Sequence, residues 1–166
     1  MSFNELLKHN KGRTFRLMTL NPNDIVVDFI MEKIHLFKNS RYFIRNVNKR
    51  IIKYIIKNIE HYKVKGWLSA NESDEVVNFL LENPKYINYN SATINSHPKM
   101  VDHCFANLDK WKHKFTSMEN ANLNLHPRMI DFVLGHPERI DWFVIFESKN
   151  IFELDLGWFA KLEKLN

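Results

Sequence analysis

The sequence is poor in the residues that form disulfides, glycine-rich loops and membrane spans. It has one cysteine, four glycines and five prolines among 166 residues. A single thiol forms no internal disulfide, and the glycines compose neither a phosphate-binding loop nor a dinucleotide fingerprint. No apolar run approaches the ~20 residues of a membrane-spanning helix, and residues 1–13 lack the apolar segment of a secretory signal. We therefore expect a soluble, cytoplasmic protein that does not bind a membrane.

A large apolar fraction and an uneven distribution of charge are the main features of the composition. The chain is 45% hydrophobic, which predicts a single domain with a sizeable core. Its net charge is +5, but residues 1–67 carry fourteen Lys or Arg against five Asp or Glu, whereas residues 68–166 carry ten against fourteen. A basic N-terminal part predicts a surface for nucleic acid or for an acidic protein, and composition does not choose between them.

Five segments of the chain resemble one another: NPNDIVVDFI, VNKRIIKYII, ESDEVVNFLL, HPKMVDHCFA and HPRMIDFVLG. We place an anchor three residues before the first apolar position of each predicted helix. The anchors are 26, 25, 25 and 29 residues apart, at Pro22, Asn48, Ser73, Pro98 and Pro127. Periods of this length are typical of helical-repeat proteins.

Two apolar columns run through these segments with the i, i+4 spacing of one helix face. The first column is Ile25, Ile51, Val76, Val101 and Ile130, and the second is Phe29, Ile55, Leu80, Phe105 and Leu134. We expect a second short helix in each unit, beginning near Ile59, Pro84, Leu108 and Pro137. Helices this short are stable only when neighbouring units stack.

The predicted fold is therefore an all-α, single-domain αα-repeat solenoid of about five short two-helix units. The repeats occupy residues 21–142. Residues 1–20 and 143–166 depart from the pattern and are predicted to be atypical terminal caps, because the outer face of a terminal unit must meet water.

Three of the prolines follow histidine, at His97, His126 and His136. Proline suits the first position of a helix, and we expect each imidazole to accept an N–H from the following turn where asparagine does so in other units. Metal binding is the alternative, but no H-E-x-x-H pair or cysteine cluster accompanies these histidines. We predict no metal and no cofactor, and we expect Cys104 to be a core residue.

No reaction can be assigned from the sequence. Acid–base chemistry by His126, His136 and Glu138 would require these side chains to meet in a pocket, which their proximity along the chain does not establish. No G-x-S-x-G motif is present either. We therefore expect a binding module without enzymatic activity.

Residues 66–89, GWLSANESDEVVNFLLENPKYINY, carry a family resemblance together with SHPKMVDH and HPERIDWF. They resemble the short helical repeats of the form W-x-x-L-S-x-N-P-x-x-I-x-x-L-L-x-x-N-P-x-x-I-x-W in proteins of large DNA viruses and some phages. The resemblance implies a viral or phage origin and an interaction role, with the host cytoplasm as the location. It implies no enzymatic activity.

Basic residues in the N-terminal part form the strongest candidate binding surface. The candidate binding residues are Arg41, Arg45, Lys49, Arg50, Lys53, Lys57, Lys63 and Lys65. Regularly spaced cations suit phosphate tracking, and Tyr42, Phe43 and Tyr54 would add stacking. The alternative is an ordinary solvent face or a protein-binding surface. We predict a viral or phage protein–protein interaction module that binds and inhibits a host defence or regulatory protein. A nucleic-acid-binding scaffold that uses the basic half is the second hypothesis.

Overall fold

The computed structural model describes residues 11–37, 40–63 and 65–141. Across these ranges the chain is all-helical, as predicted, and has no strand. The α-helices are α1 (Lys11–Leu20), α2 (Asp24–Glu32), α3 (Ile34–Phe37), α4 (Arg41–Ile44), α5 (Lys49–Lys57), α6 (Asp74–Glu82), α7 (Tyr89–Ala92), α8 (Pro98–Ala106), α9 (Phe115–Ala121) and α10 (Pro127–Leu134). The 3₁₀ helices are Ile59–His61, Lys65–Ala70, Pro84–Tyr86, Leu108–Lys110 and Pro137–Arg139. None of these helices is long and apolar enough to cross a membrane.

The chain divides into two compact units, Met1–Ile87 and Asn88–Asn166. The first unit contains α1 to α6, and the second contains α7 to α10. The predicted C-terminal cap, residues 143–166, lies outside the described residues, as do residues 1–10 of the predicted N-terminal cap.

Four of the longer helices, α2, α5, α8 and α10, begin in a common way. The N-cap side chains of Asn23, Asn48, His97 and His126 each accept a hydrogen bond from the backbone N–H two residues later, at 3.0, 2.9, 3.2 and 3.3 Å. The expectation that a histidine before proline serves as an N-cap is therefore confirmed for His97 and His126. Such bonds satisfy one of the backbone donors that the first helical turn leaves unpaired.

An asparagine lies two residues before each of these four N-caps and also before Ser73, the N-cap of α6, whose own side chain makes no capping hydrogen bond. Its Oδ1 accepts the N–H of the N-cap residue at 2.7–3.0 Å, in Asn21, Asn46, Asn71, Asn95 and Asn124. These asparagines are 25, 25, 24 and 29 residues apart. Each one therefore ties the chain into the turn that starts the next helix.

Three of these asparagines, Asn46, Asn71 and Asn124, form what we call the asparagine row. Each Nδ2 group donates to two backbone carbonyls, that of the preceding asparagine in the series and that of the residue two positions before it. The accepting carbonyls belong to Thr19 and Asn21 at 2.7 and 3.2 Å, Ile44 and Asn46 at 3.0 and 3.0 Å, and Thr93 and Asn95 at 2.8 and 2.8 Å. All three side chains are buried. Since buried backbone acceptors need partners, each asparagine stabilises the packing of its own segment of the chain against the segment around the preceding asparagine.

The predicted core columns are wrong in register for part of the chain. Ile25 is 74% exposed, because Asn23 rather than Pro22 is the N-cap of α2 and Val27 takes the buried position. When the N-caps are aligned, buried residues recur four and seven positions after them. These residues are Val27 and Ile30, Ile52 and Ile55, Val77 and Leu80, and Val101 and Cys104. Cys104 is fully buried, as predicted for a core thiol, and burial raises its pKa to about 12.

The second helices predicted near Ile59, Pro84, Leu108 and Pro137 are single 3₁₀ turns, and a separate short helix follows the first three of them. Asn58, Asn83 and Asn107 end the preceding helices, and their Nδ2 groups donate back to the carbonyl four residues earlier at 2.8, 2.9 and 2.9 Å. His136 has the same role, which corrects its predicted function as an N-cap. Its Nδ1 lies 2.8 Å from the Phe132 carbonyl, and because a carbonyl only accepts, this nitrogen is the donor.

Candidate binding surface

The predicted basic residues all lie in the first unit, on α4, on α5 and in the segment that follows α5. Seven of the eight are exposed, and Lys65 is half-buried. The orientation of α5 follows from its sequence, since Ile51, Ile52 and Ile55 are buried on one side and the charged residues occupy the other.

Two of the cations on α5 form ion pairs with helices on either side of it. Arg50 Nη1 lies 2.7 Å from Asp28 Oδ1 of α2, and Lys49 Nζ lies 3.5 Å from Glu75 Oε1 of α6. Lys53 and Lys57 have no ion-pair partner among the described residues. The basic surface of α5 is therefore partly neutralised by acidic residues of its neighbours.

The Arg50 ion pair has a counterpart in the second unit, where Arg128 Nη1 lies 2.7 Å from Asp102 Oδ1. Each arginine lies two residues after its N-cap, and each aspartate lies five residues after the preceding N-cap. Exposed pairs of this kind contribute about 0–1 kcal/mol. Recurrence at equivalent positions indicates that Arg50 serves the packing of adjacent helices, so it is a weaker candidate for ligand binding than its exposure suggests.

Lys65 is engaged by Glu60 on the 3₁₀ helix that follows α5. The Lys65 Nζ to Glu60 Oε2 distance is 3.1 Å, and Lys85 Nζ lies 3.6 Å from Glu60 Oε1. The Tyr86 hydroxyl also donates to this carboxylate. These hydrogen bonds from Tyr86 and Lys65 lower the pKa of Glu60 to about 2. Lys65 is thus held in a local network, whereas Lys63 is exposed and forms no ion pair in the described part of the chain.

The remaining predicted residues, Arg41 and Arg45, belong to a different arrangement on α4. Phe43 and Ile44 are fully buried and fix the helix, and the Ser40 side chain caps its N-terminus by accepting from the Tyr42 N–H at 3.2 Å. Arg41, Tyr42 and Arg45 consequently lie on the outer side, where Arg41 and Arg45 are exposed and Tyr42 is half-buried.

The guanidinium groups near Tyr42 come from two helices. Arg16 of α1 lies 5.1 Å from the centre of the Tyr42 ring, measured from its guanidinium carbon, and Arg41 lies 5.0 Å from the same centre. Arg41 also lies 5.6 Å from the centre of the half-buried Trp67 ring, and its Nη2 donates to the Tyr42 hydroxyl at 2.9 Å. Cation–π contacts of this kind hold an arginine side chain in one place. We call Arg16, Arg41 and Arg45 the arginine cluster.

The arginine cluster creates a local positive potential. The pKa of the Tyr42 phenol is lowered, first by the hydrogen bond from Arg41 and then by the charges of Arg41, Arg16 and Arg45. No carboxylate in the described ranges forms an ion pair with any of the three arginines. This distinguishes the arginine cluster from Lys49, Arg50 and Lys65, whose charges are matched.

The structure changes the predicted membership of the surface. Arg16 was not among the predicted residues, since nothing local in the sequence connects it with a tyrosine 26 positions later. Phe43, predicted to add stacking, is fully buried and unavailable to a ligand. Trp67, which is half-buried, contacts Arg41 and joins the surface.

The second unit has a surface pocket of about 330 Å³, lined by His113, Met118, Glu119, Glu138 and Arg139. Of the three residues considered for acid–base chemistry, only Glu138 is among these lining residues. His126 is an N-cap and His136 donates to a helix carbonyl, so both imidazoles have local structural roles. No group of three or more potential metal ligands occurs in the part of the chain that the structure describes.

No protein-family model matches this chain, and no curated protein or solved structure matches it.

Proposed function

We propose that this chain is a helical-repeat solenoid that acts as a protein–protein interaction module and binds an acidic partner through the basic surface of its first unit. One observation carries the proposal. Three of the eight predicted cations, Lys49, Arg50 and Lys65, are paired with carboxylates, whereas the other five have no ion pair in the described ranges. Unpaired, exposed cations are available to the carboxylates of a partner, and they accelerate encounter with it.

Partial neutralisation of α5 favours a protein over a nucleic acid as the partner. Asp28 and Glu75 lie beside Arg50 and Lys49, so a phosphate chain that follows α5 would meet acidic groups on both sides. Repulsion between like charges raises the free energy of such a complex. A protein partner, in contrast, can place individual carboxylates at Lys53 and Lys57 and basic groups elsewhere.

The recurring asparagine pattern supports the solenoid part of the proposal, because identical hydrogen bonds join successive patterns within each unit. The resemblance to viral and phage repeats supports a host protein as the partner, with inhibition of a defence or regulatory protein in the host cytoplasm as the outcome. No step of this proposal requires a cofactor or catalysis.

The test is capture of a partner by the full chain, followed by charge reversal. We expect one acidic protein to co-elute stoichiometrically with the wild-type chain on gel filtration after affinity capture from host lysate. Lys53→Glu/Lys57→Glu should weaken that complex at least about tenfold, because each substitution turns an attraction into a repulsion. Lys99→Glu/Lys114→Glu is the matched control, with the same charge change in the second unit. Absence of a stoichiometric protein, or equal losses in the two variants, would contradict the proposal.

A nucleic-acid-binding scaffold is the second candidate, favoured by the four-residue spacing of the exposed Lys53 and Lys57 on α5. It predicts binding to an oligonucleotide that weakens steeply as salt increases. Lys49→Glu/Lys53→Glu/Lys57→Glu should abolish this binding in a fluorescence anisotropy titration. Binding that does not respond to salt, or no binding at low salt, would eliminate the scaffold hypothesis.

A further inference from the structure

The arginine cluster differs from every other group of cations on the described part of the first unit. The guanidinium groups of Arg16 and Arg41 both lie against the Tyr42 ring, and the exposed Arg45 is the C-cap of the helix that carries Arg41. None of the three has a carboxylate partner in the described ranges. Two of them are held against aromatic rings, so they are positioned before any ligand arrives. An arrangement of this kind concentrates positive charge at one point, whereas the lysines of α5 distribute it along a helix.

The chemistry of the donors selects the type of anion. Guanidinium groups are planar and match the oxygens of phosphate in paired hydrogen bonds, which lysines do not do. The Tyr42 hydroxyl, to which Arg41 donates, can itself donate to a ligand oxygen. A phosphomonoester carries about −1.5 to −2 charges at pH 7 and three acceptor oxygens, and clusters of arginines are a recurring means of recognising it. One carboxylate, with a single charge, would leave most of this positive charge unmatched.

The aromatic rings in the arginine cluster argue against a nucleic acid as the ligand. Sequence-tolerant binding of single strands uses exposed ring faces on which bases stack. Tyr42 is in contact with Arg16 and Arg41, and Trp67 is in contact with Arg41, so guanidinium groups already occupy positions over these rings. Phosphodiesters also carry their charges singly along a strand rather than two at one point.

We propose that Arg16, Arg41 and Arg45, together with the Tyr42 hydroxyl, bind a phosphomonoester group on a phosphorylated segment of the protein partner. This inference rests on the proposed function, because it names the chemistry of the partner at that surface. Lys53 and Lys57 contribute general attraction to an acidic protein, and the arginine cluster makes binding depend on phosphorylation.

Three degenerate peptide pools provide the test, each with random flanking residues and a fixed central phosphoserine, serine or glutamate. Binding to the full chain is measured by competition for a fluorescent phosphopeptide drawn from the first pool. We expect the phosphoserine pool to bind at least about tenfold more tightly than either other pool, as charge-assisted hydrogen bonds to a dianion require. Arg41→Gln/Arg45→Gln should remove most of that preference.

The control variant is Lys99→Gln/Lys114→Gln, which removes two exposed charges from the second unit and should lower phosphopeptide affinity no more than about threefold. Arg41→Lys adds a geometric test, because it retains the charge and should still lose the preference for phosphoserine. Circular dichroism of each variant establishes that it is folded. Equal affinity for the three pools overturns the inference, and so does an equal loss in the two double variants. Competition by a single-stranded oligonucleotide as strong as that by phosphopeptide also overturns it.

Failure of this inference is distinguishable from failure of the proposed function. If the acidic partner is captured and lost on Lys53→Glu/Lys57→Glu, but the pools bind equally, only the phosphomonoester inference fails. If the phosphoserine pool binds preferentially but no protein is captured, the proposed function fails in its choice of partner.

Discussion

The asparagine row and the arginine cluster are both polar, and the first unit contains members of each, but their surroundings differ. Asn46 and Asn71 are buried, and each uses its amide to bind two carbonyls and one N–H of the chain. Arg41 and Arg45 are exposed, and no carboxylate among the described residues matches their charge. The first set has its hydrogen-bonding capacity used within the fold, whereas the second has capacity left for a ligand.

This difference separates polar residues that stabilise the fold from polar residues that remain available to a ligand. A buried polar group without partners costs about 1–3 kcal/mol, so the buried asparagines must be satisfied for the chain to fold. An exposed arginine pays no such cost, because water satisfies it. Stability therefore accounts for the asparagine row, whereas it does not require that Arg16, Arg41 and Arg45 lack carboxylate partners in the described ranges.

The largest expected effect is on the asparagine row. Asn71→Ala removes the donors to the carbonyls of Ile44 and Asn46 and the acceptor of the Ser73 N–H. We expect the free energy of unfolding to fall by about 3 kcal/mol, because several buried groups lose their partner together. Urea denaturation measures the change.

Glu82→Ala is the control for this prediction, since Glu82 is exposed on α6 and its loss should alter stability by no more than about 0.5 kcal/mol. Asn124→Ala extends the comparison to the second unit, where the same two donor bonds are made. A similar loss is expected there. Small effects of both Asn71→Ala and Asn124→Ala would show that the row does not hold successive patterns together.

Local signals explain how much of this fold could be predicted from the sequence. The N-caps His97 and His126 were predictable because proline marks the first position of the helix that follows. The exposure of Ile25 was not, because the choice between Pro22 and Asn23 as anchor moves the buried face of α2 by one residue. The asparagine row left a readable signal in its spacing, but its function depends on carbonyls of the preceding pattern, which sequence periodicity alone does not identify.

The candidate site was predictable only in part, for the same reason. A four-residue series of cations indicates a charged helix face, and α5 has that face. Which cations remain unmatched depends on Asp28 and Glu75 from neighbouring helices, and the convergence of Arg16 on Tyr42 depends on the packing of α1 near α4. Neither relation follows from local spacing.

Tyr62 provides an exception that sharpens the comparison. It is 4% exposed, packs near Phe43 with ring centres 6.1 Å apart, and its hydroxyl has no hydrogen-bond partner in the described part of the chain. Burial raises the pKa of this phenol. Tyr62→Phe should increase the free energy of unfolding by about 1 kcal/mol, because it removes an unsatisfied group and keeps the ring.

Thermal and urea unfolding of Tyr62→Phe beside the wild-type chain measure the sign of the effect. Tyr54→Phe is the matched control, since Tyr54 is half-buried whereas Tyr62 is buried. If Tyr62→Phe is less stable than the wild-type chain, the Tyr62 hydroxyl has a hydrogen-bond partner. This buried polar group would then be satisfied, like the amides of the asparagine row.

A smaller effect is expected for the recurring ion pairs. Double-mutant cycles of Arg50 with Asp28, and of Arg128 with Asp102, should each give a coupling energy of about 0.2–1 kcal/mol that decreases as salt is added. Arg128→Ala alone should cost more than Arg50→Ala, because the Arg128 guanidinium also lies 4.2 Å from the centre of the Phe105 ring. Coupling above this range would place these exposed pairs with the asparagine row as determinants of the fold.

The smallest effect on stability is expected in the arginine cluster. Arg45→Gln should change the free energy of unfolding by no more than about 0.5 kcal/mol, because Arg45 is exposed and forms no ion pair within the described ranges. The same substitution should weaken binding of the phosphoserine pool, so it should affect binding without affecting stability. Asn71→Ala should behave in the opposite way, with a large loss of stability and unchanged affinity in the fraction that remains folded. If Arg45→Gln instead destabilises the chain as much as it weakens binding, the arginine cluster belongs to the fold, and the contrast with the asparagine row disappears.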